Sequence, residues 1–217
     1  MEAYRRHWHQ VGLVLFFVLT FCMAFWGQQI DPLRYILIYS FMALLVHQYE
    51  EYAFPGGFPA IFNIALSGEK QVPERYPLNT NQVLTTNVFL AYPFYILPIF
   101  FPHLIWFGIA QMLFGFSQLI IHGVMINRKL GTLYNPGLAA VIFLHIPIGV
   151  YYLWYVATQH LAGTTDYVYG VVLFVIGAVV MIPLPIRLMS SRQSKYAFPE
   201  AMFYGFAREK LERMRRS

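Results

Sequence analysis

The sequence predicts an all-α bundle of about six transmembrane helices. Its composition, its apolar stretches and the placement of its basic residues all favour this fold. Hydrophobic residues make up 58% of the 217 residues, aromatic residues 18% and charged residues only 12%. A soluble domain of this size carries more charged surface than that. We therefore expect a single integral membrane domain over residues 1–217, with a short basic tail at about residues 190–217.

Six apolar stretches have about the length that a membrane-spanning helix needs. They run over residues 11–26, 33–54, 83–101, 104–126, 137–157 and 168–189. Together they account for most of the chain, so any chemistry has to take place inside the membrane or at its interface.

The basic residues predict the orientation, because loops on the cytoplasmic side retain lysine and arginine. With six spans, fourteen of the fifteen basic residues fall on one side and only Arg34 falls on the other. Both termini are thus expected in the cytoplasm, and the protein in the cytoplasmic membrane of the cell. The net charge of +5 then reflects topology, and we expect no nucleic-acid partner. The basic tail is expected to meet anionic lipid headgroups.

The longest cytoplasmic connection runs over residues 55–82. It opens with Pro55, Gly56 and Gly57, which must end the second helix. The apolar segment 60–66 that follows is too short to cross a bilayer. We expect this segment to lie in the interface or to fold back as a lid over the site described next.

His47, Glu50 and Glu51 lie near the end of the second apolar stretch. Ionisable groups at membrane depth are costly, so they mark a candidate functional site. Glu50 and Glu51 follow His47 by three and four residues, and either carboxylate can share a helix face with the imidazole. This spacing suits a metal site or acid/base catalysis. The structural alternative is a polar network that only holds helices together.

Polar residues on three other stretches fall at a similar depth. At about 1.5 Å of rise per residue, His47, Asn87, His122 and His145 lie roughly 6–12 Å from the cytoplasmic ends of their helices. Gln118 precedes His122 by one helical turn on the same face. We expect His47 with Glu50 or Glu51 to bind a metal together with His122 and His145, and Asn87 and Gln118 to support the site or add ligands.

Histidine and carboxylate form the ligand set of zinc hydrolases and of iron or manganese sites. We therefore predict a divalent metal, with zinc first and iron or manganese as alternatives. His47, Glu50 and Glu51 would act in catalysis, since a carboxylate left free by the metal can take a proton from water. A shallow site is reached most easily from the inner leaflet, so a membrane lipid or isoprenoid is the expected substrate and hydrolysis the expected reaction.

Two other functions fit the same residues. One is a metal-free isomerase or cyclase of an isoprenoid or sterol-like substrate, in which one carboxyl group protonates an alkene or epoxide while another group removes a proton. The other is a proton- or cation-coupled transporter. The sequence shows no internal repeat and no matching acidic site in the outer half, which disfavours transport.

Four segments form a combined pattern. They are His47-x-x-Glu50-Glu51, Pro55-Gly56-Gly57-Phe58-Pro59, His122 and Tyr134-Asn135-Pro136-Gly137. This pattern resembles the HXXEE family of multi-spanning membrane proteins, from the second apolar stretch through the fifth. The family has no established activity, and its motifs imply a metal-dependent membrane enzyme by inference. The resemblance adds Tyr134 and Asn135 as supporting residues. Where the family pattern has an asparagine four residues before the later histidine, this chain has Gln118.

Overall fold

A computed structural model describes residues 2–216, and this part of the chain is helical without a β-strand. The helices in chain order are α1 (Glu2–Trp26), α2 (Pro32–Tyr52), α3 (residues 58–66), α4 (Thr80–Phe100), α5 (Ile105–Leu130), α6 (Leu138–Thr158), α7 (Thr164–Met189), α8 (Glu200–Phe203) and α9 (Arg208–Arg216). The predicted apolar stretches correspond to α1, α2 and α4–α7 to within a few residues at most ends. Only α1 begins well before its predicted start.

Five helices of the described residues are long and apolar enough to cross a membrane: α1 with the 3-10 turn after it, α4, α5, α6 and α7. Large apolar side chains such as Phe21, Phe143 and Ile176 are exposed on their outer faces, as lipid contact requires. The prediction of an all-α, multi-span membrane bundle is confirmed. The count of six spans and the cytoplasmic position of both termini stay predictions.

Helix α2 is the central helix of the bundle. It packs against α1, α4 and α6, and most of its side chains are buried. The helix begins at Pro32 because the Asp31 side chain accepts hydrogen bonds from the backbone N–H groups of Leu33 (3.0 Å) and Arg34 (3.2 Å). The polar residues of α2 make it less apolar than the five helices above, although its 21 residues are enough to span.

Four helices contain a π-helical segment, in which backbone hydrogen bonds run from residue i to residue i+5. The segments are Ile61–Leu66 in α3, Thr85–Leu90 in α4, Leu119–Ile126 in α5 and Val141–His145 in α6. Such segments are rare and occur often at functional sites. Three of them carry Asn87, His122 and His145, so these three polar residues of the candidate site lie on widened helical turns, whereas His47 and Glu51 lie on the α-helical α2.

The segment after α7 folds back onto the connection between α2 and α4, and we call residues 190–216 the C-terminal cap. The Phe206 N–H donates to the Gly56 carbonyl (3.0 Å), and Arg215 Nε donates to the Lys70 carbonyl (3.0 Å). Leu211 of α9 is fully buried. The basic tail expected from the sequence is therefore a docked segment and does not extend freely. Its contact with anionic headgroups stays a prediction.

Glu69 joins this connection to the C-terminal cap. Its carboxylate accepts hydrogen bonds from the N–H groups of Gln71 (2.8 Å) and Val72 (3.3 Å), and Arg192 Nη2 lies 2.8 Å from it. Burial alone would raise the pKa of this carboxyl group. The two backbone donors and the arginine outweigh burial, so the pKa of Glu69 is lowered from its ordinary value of about 4.5.

Replacing Glu69 by glutamine is expected to lower the free energy of unfolding by about 1.5–3 kcal/mol at neutral pH, because the two hydrogen bonds from backbone N–H groups lose the carboxylate charge and Arg192 loses its acceptor. A lowered folded-state pKa stabilises the fold above the ordinary pKa, and this contribution is lost as the pH falls through the lowered value. The difference in melting temperature between Glu69→Gln and wild type should therefore be largest at neutral pH and become smaller as the pH falls below 4.5.

Glu209→Gln, at an exposed position of α9, is the control and should leave the melting temperature unchanged. An equal difference at all pH values would show that the carboxylate charge is not responsible.

Candidate metal centre

His47, Glu51 and His122 meet in the interior of the bundle. Glu51 Oε1 lies 3.5 Å from His47 Nε2 and 3.4 Å from His122 Nε2, and all three side chains are buried. One ligand atom from each residue lies within 4.8 Å of the other two. The sequence predicted this association across α2 and α5 and left open which carboxylate takes part. In the structure it is Glu51.

The opposite ring nitrogen of each histidine faces an oxygen atom. His47 Nδ1 lies 3.1 Å from the Gly137 carbonyl oxygen, and His122 Nδ1 lies 2.7 Å from Asn135 Oδ1. Both oxygens are acceptors, so each Nδ1 carries a proton and donates it. Each Nε2 points toward Glu51, where it can offer a lone pair to a cation, as in histidines that bind metals, or donate a proton to the carboxylate when the imidazole is charged.

Asn135 holds its amide in the orientation that this hydrogen bond needs. Its Nδ2 donates to the His122 carbonyl and to Asn127 Oδ1, both at 2.7 Å, which leaves Oδ1 to accept from the imidazole. The side chain is fully buried. The supporting role that the sequence predicts for Asn135 agrees with this position.

The carboxylate of Glu51 and the Nε2 atoms of His47 and His122 converge in a buried space. If both imidazoles are neutral with their protons on Nδ1, these atoms are three acceptors, and a cation or a proton between them offsets the cost of their burial. In a tetrahedral zinc site, with bonds of about 2.0–2.2 Å, neighbouring ligand atoms lie about 3.4 Å apart. The separations of 3.4 and 3.5 Å observed here suit such a site.

Glu50 lies apart from this cluster. Its carboxylate accepts hydrogen bonds from the Tyr134 hydroxyl (2.7 Å) and from the backbone N–H groups of Ala139 (3.2 Å) and Ala140 (2.9 Å). The two N–H groups belong to the first turn of α6, where Gly137 has no side chain to cap the helix, so Glu50 supplies the cap from α2. Burial and the hydrogen bond to Glu50 raise the pKa of Tyr134, which keeps its hydroxyl as a donor. Glu50 and Tyr134 are thus placed where they can position α6, and the ligand or base role that the sequence suggests for Glu50 stays a prediction.

Glu50→Gln should separate a capping role from a ligand role. The amide keeps the size of the side chain but loses acceptor capacity toward three donors, so we expect about 1–3 kcal/mol of destabilisation. The metal content of the folded variant should equal that of wild type. Melting temperature and elemental analysis of the same sample measure both quantities. A folded variant without metal would make Glu50 a ligand.

His145 lies beside the cluster but outside the group of three. Its ring centroid is 5.6 Å from that of His47, and its Nε2 is buried with no hydrogen-bond partner among the described residues. The ring packs against Gly115 of α5, where a Cβ atom would lie 3.0 Å from His145 Nδ1. A direct bond from His145 to a metal stays a prediction.

A cavity of about 110 Å³ opens beside these residues. Its polar lining includes His47, Glu51 and His145, together with Asn87 and Gln118. Most of the remaining wall is apolar. Asn87 is held in place because Gln48 Nε2 donates to its side chain and its backbone carbonyl, both at 3.2 Å. Asn87 and Gln118 therefore border the space next to the cluster, as expected for supporting residues.

Two residues of the site were not singled out from the sequence. Gly137 has φ of +101° and supplies the carbonyl that orients His47, and the only sequence signal for it is the Asn-Pro-Gly turn. Phe58 of α3 stacks on the His122 ring at 5.7 Å and lines the cavity. Phe62, in the expected lid segment 60–66, also lines the cavity, and closure by that segment stays a prediction.

The fold and the site together define an α-helical, multi-span membrane protein with a buried His–Glu–His cluster beside an apolar cavity. The chain belongs to the HXXEE family. The family model, described as a protein of unknown function with HXXEE motif, matches residues 38–152, which is just over half of the chain. That range contains every residue of the cluster. The comparisons with curated proteins and with solved structures give no match.

Proposed function

We propose that this chain is an intramembrane, metal-dependent hydrolase that acts on a lipid or isoprenoid substrate at the cytoplasmic leaflet of the cell membrane. The observation that carries the proposal is the convergence of Glu51 with the Nε2 atoms of His47 and His122 at one end of an apolar cavity. A divalent cation would satisfy all three acceptors. The cavity would admit the apolar part of a substrate.

His47, Glu51 and His122 would hold the cation, which we expect to be zinc, with iron or manganese as alternatives. Two histidines and one glutamate are a known ligand set of catalytic zinc, which keeps a further position open for the reaction. When bound, such a cation polarises a carbonyl oxygen and makes water a stronger acid.

The proton of the attacking water needs an acceptor, and Glu50 is occupied by three donors. His145 is the better candidate, because its buried Nε2 has no partner among the described residues and its ring borders the cavity. In the proposed reaction, water attacks the carbonyl carbon of an ester and passes a proton to His145. The same proton then goes to the leaving alkoxide, so the products are an acid and an alcohol.

Hydrolysis of a chromogenic decanoate ester by the zinc-loaded protein, reconstituted in lipid nanodiscs, tests the proposal. We expect turnover that a chelator abolishes and added zinc restores. His145→Asn should keep the metal and lose at least about 100-fold in rate. His160→Asn, at an exposed position, is the control. Equal turnover with and without metal would overturn the metal-dependent mechanism.

The same convergence of acceptors supports a second function without a metal. Protons on the two Nε2 atoms would also satisfy Glu51, and such an array can donate and remove protons in an isomerisation or cyclisation. Purified protein that takes up no divalent metal, even after incubation with zinc, would favour this acid/base function.

A further inference from the structure

The cavity beside the His–Glu–His cluster narrows the class of substrate, and its charge is the first constraint. Twenty residues form its wall, and most of them are apolar. This wall contains no lysine or arginine, and Glu51 is its only acidic side chain. Proteins bind phosphate and diphosphate groups with arginine, lysine or helix N-termini. A single divalent cation beside Glu51 leaves too little positive charge for a diphosphate.

Size is the second constraint. A water molecule occupies about 10–15 Å³ of such a space, so the cavity of about 110 Å³ holds about seven to eleven water-sized groups. A linear chain of about eight to ten carbons fills it. A four-ring sterol or the two chains of a phospholipid are far larger than this enclosed space.

Polar groups of the wall that lack a hydrogen-bond partner are the third constraint on the class of substrate. Gln82 donates its Nε2 to Thr86 Oγ1 (2.9 Å), while its Oε1 is buried without a partner among the described residues. His145 Nε2 is likewise without a partner. These groups can accept hydrogen bonds from an uncharged hydroxyl or amide N–H, or from a water molecule bound beside an ester, and burying them against a purely apolar ligand would be costly.

We infer that the ligand is a neutral amphiphile with a single chain. Its uncharged polar group, such as an ester, lies at His47, Glu51 and His122, and an apolar chain of about eight to ten carbons fills the cavity. The inference rests on the proposed function only for the position of the polar group. It separates an uncharged single-chain substrate from prenyl diphosphates, phospholipids and sterols.

Photo-crosslinking in phospholipid nanodiscs tests the inference. The probe is a decanoate ester with a diazirine at the chain end, and labelled residues are located by mass spectrometry. We expect labels on cavity residues such as Val83, Phe114 and Ile182. Methyl decanoate should compete with the probe, decyl phosphate should compete at least about tenfold more weakly, and cholesterol should not compete. Equal or better competition by decyl phosphate, competition by cholesterol, or labels confined to the outer surface would overturn the inference.

A matched pair of variants checks that the label reports the cavity. Ala91→Phe adds a ring to the wall and should reduce labelling several-fold, while Ala157→Phe adds the same ring at an exposed position and should not. Metal content is measured in the same samples. Selective labelling of a protein that binds no metal would support the cavity ligand and overturn the proposed metal-dependent hydrolase. Bound metal with unselective labelling would support the metal site and overturn the inferred ligand. If Ala91→Phe does not fold, the competition by methyl decanoate, decyl phosphate and cholesterol in the wild-type protein decides whether the inference holds.

Discussion

Glu51→Gln should reduce the bound divalent metal from about one equivalent per chain to a small fraction, with metal affinity lowered by at least about 100-fold. Glutamine keeps the shape of the side chain, but its uncharged amide cannot replace a carboxylate ligand between two imidazoles. The purified protein is loaded with zinc, separated from free metal and analysed for elements. His47→Ala and His122→Ala should have the same effect.

The chain offers controls for both residue types. Glu50→Gln removes the neighbouring carboxylate, and His160→Ala removes an exposed histidine. Both should retain the metal. If wild type binds one equivalent of zinc that Glu51→Gln also binds with equal affinity, the metal site lies elsewhere. Zinc absent from every sample would favour the metal-free acid/base function.

Gly137→Ala should destabilise the fold by about 2–6 kcal/mol, from backbone strain at positive φ and from overpacking. The φ of +101° disfavours any side chain at this position. A Cβ atom there would also lie 2.6 Å from His122 Cε1 and 2.8 Å from His47 Cε1. Both rings would have to move, so metal affinity should fall together with the melting temperature.

Gly68→Ala separates these two effects. Gly68 also has positive φ, +69°, but a Cβ atom there meets nothing within 4 Å. The control therefore carries the backbone strain without the clash and should melt at least about 5 °C above Gly137→Ala. Its metal affinity should equal that of wild type. Equal melting temperatures for the two variants would show that the contact with the histidine rings does not limit stability.

The main parts of the fold and of the site could be predicted from the sequence. The apolar stretches predicted the long helices because a bilayer sets the length of a spanning helix. Helical rise placed His47, His122 and His145 in one layer, and the structure brings these histidines together. Spacing along each helix and depth in the membrane were sufficient here, because the polar side chains of a spanning helix face the interior of the bundle and not the lipid.

Other parts depend on contacts between distant segments. Glu50 and Glu51 are both one turn from His47, so spacing could not decide between them. The position of α6 decides between the two carboxylates, because the first N–H groups of α6 lie where Glu50 can accept hydrogen bonds from them. The docking of the C-terminal cap could not be read from its charges either, because Leu211, within a basic run, is buried in one apolar cluster with Phe198 and Phe203.

The π-helical segments make the site sensitive to the number of residues as well as to their identity. A π-segment accommodates one more residue than an α-helix over the same path, and one residue of an α-helix corresponds to about 100° of rotation. Deleting a single residue from 119–121 would restore α-helical geometry and change the direction of the His122 side chain relative to Glu51. Alignments of family members should therefore count residues between the motif on α2 and the later histidine, because a one-residue gap in this stretch would mark a different geometry of the candidate site even where every polar residue is retained.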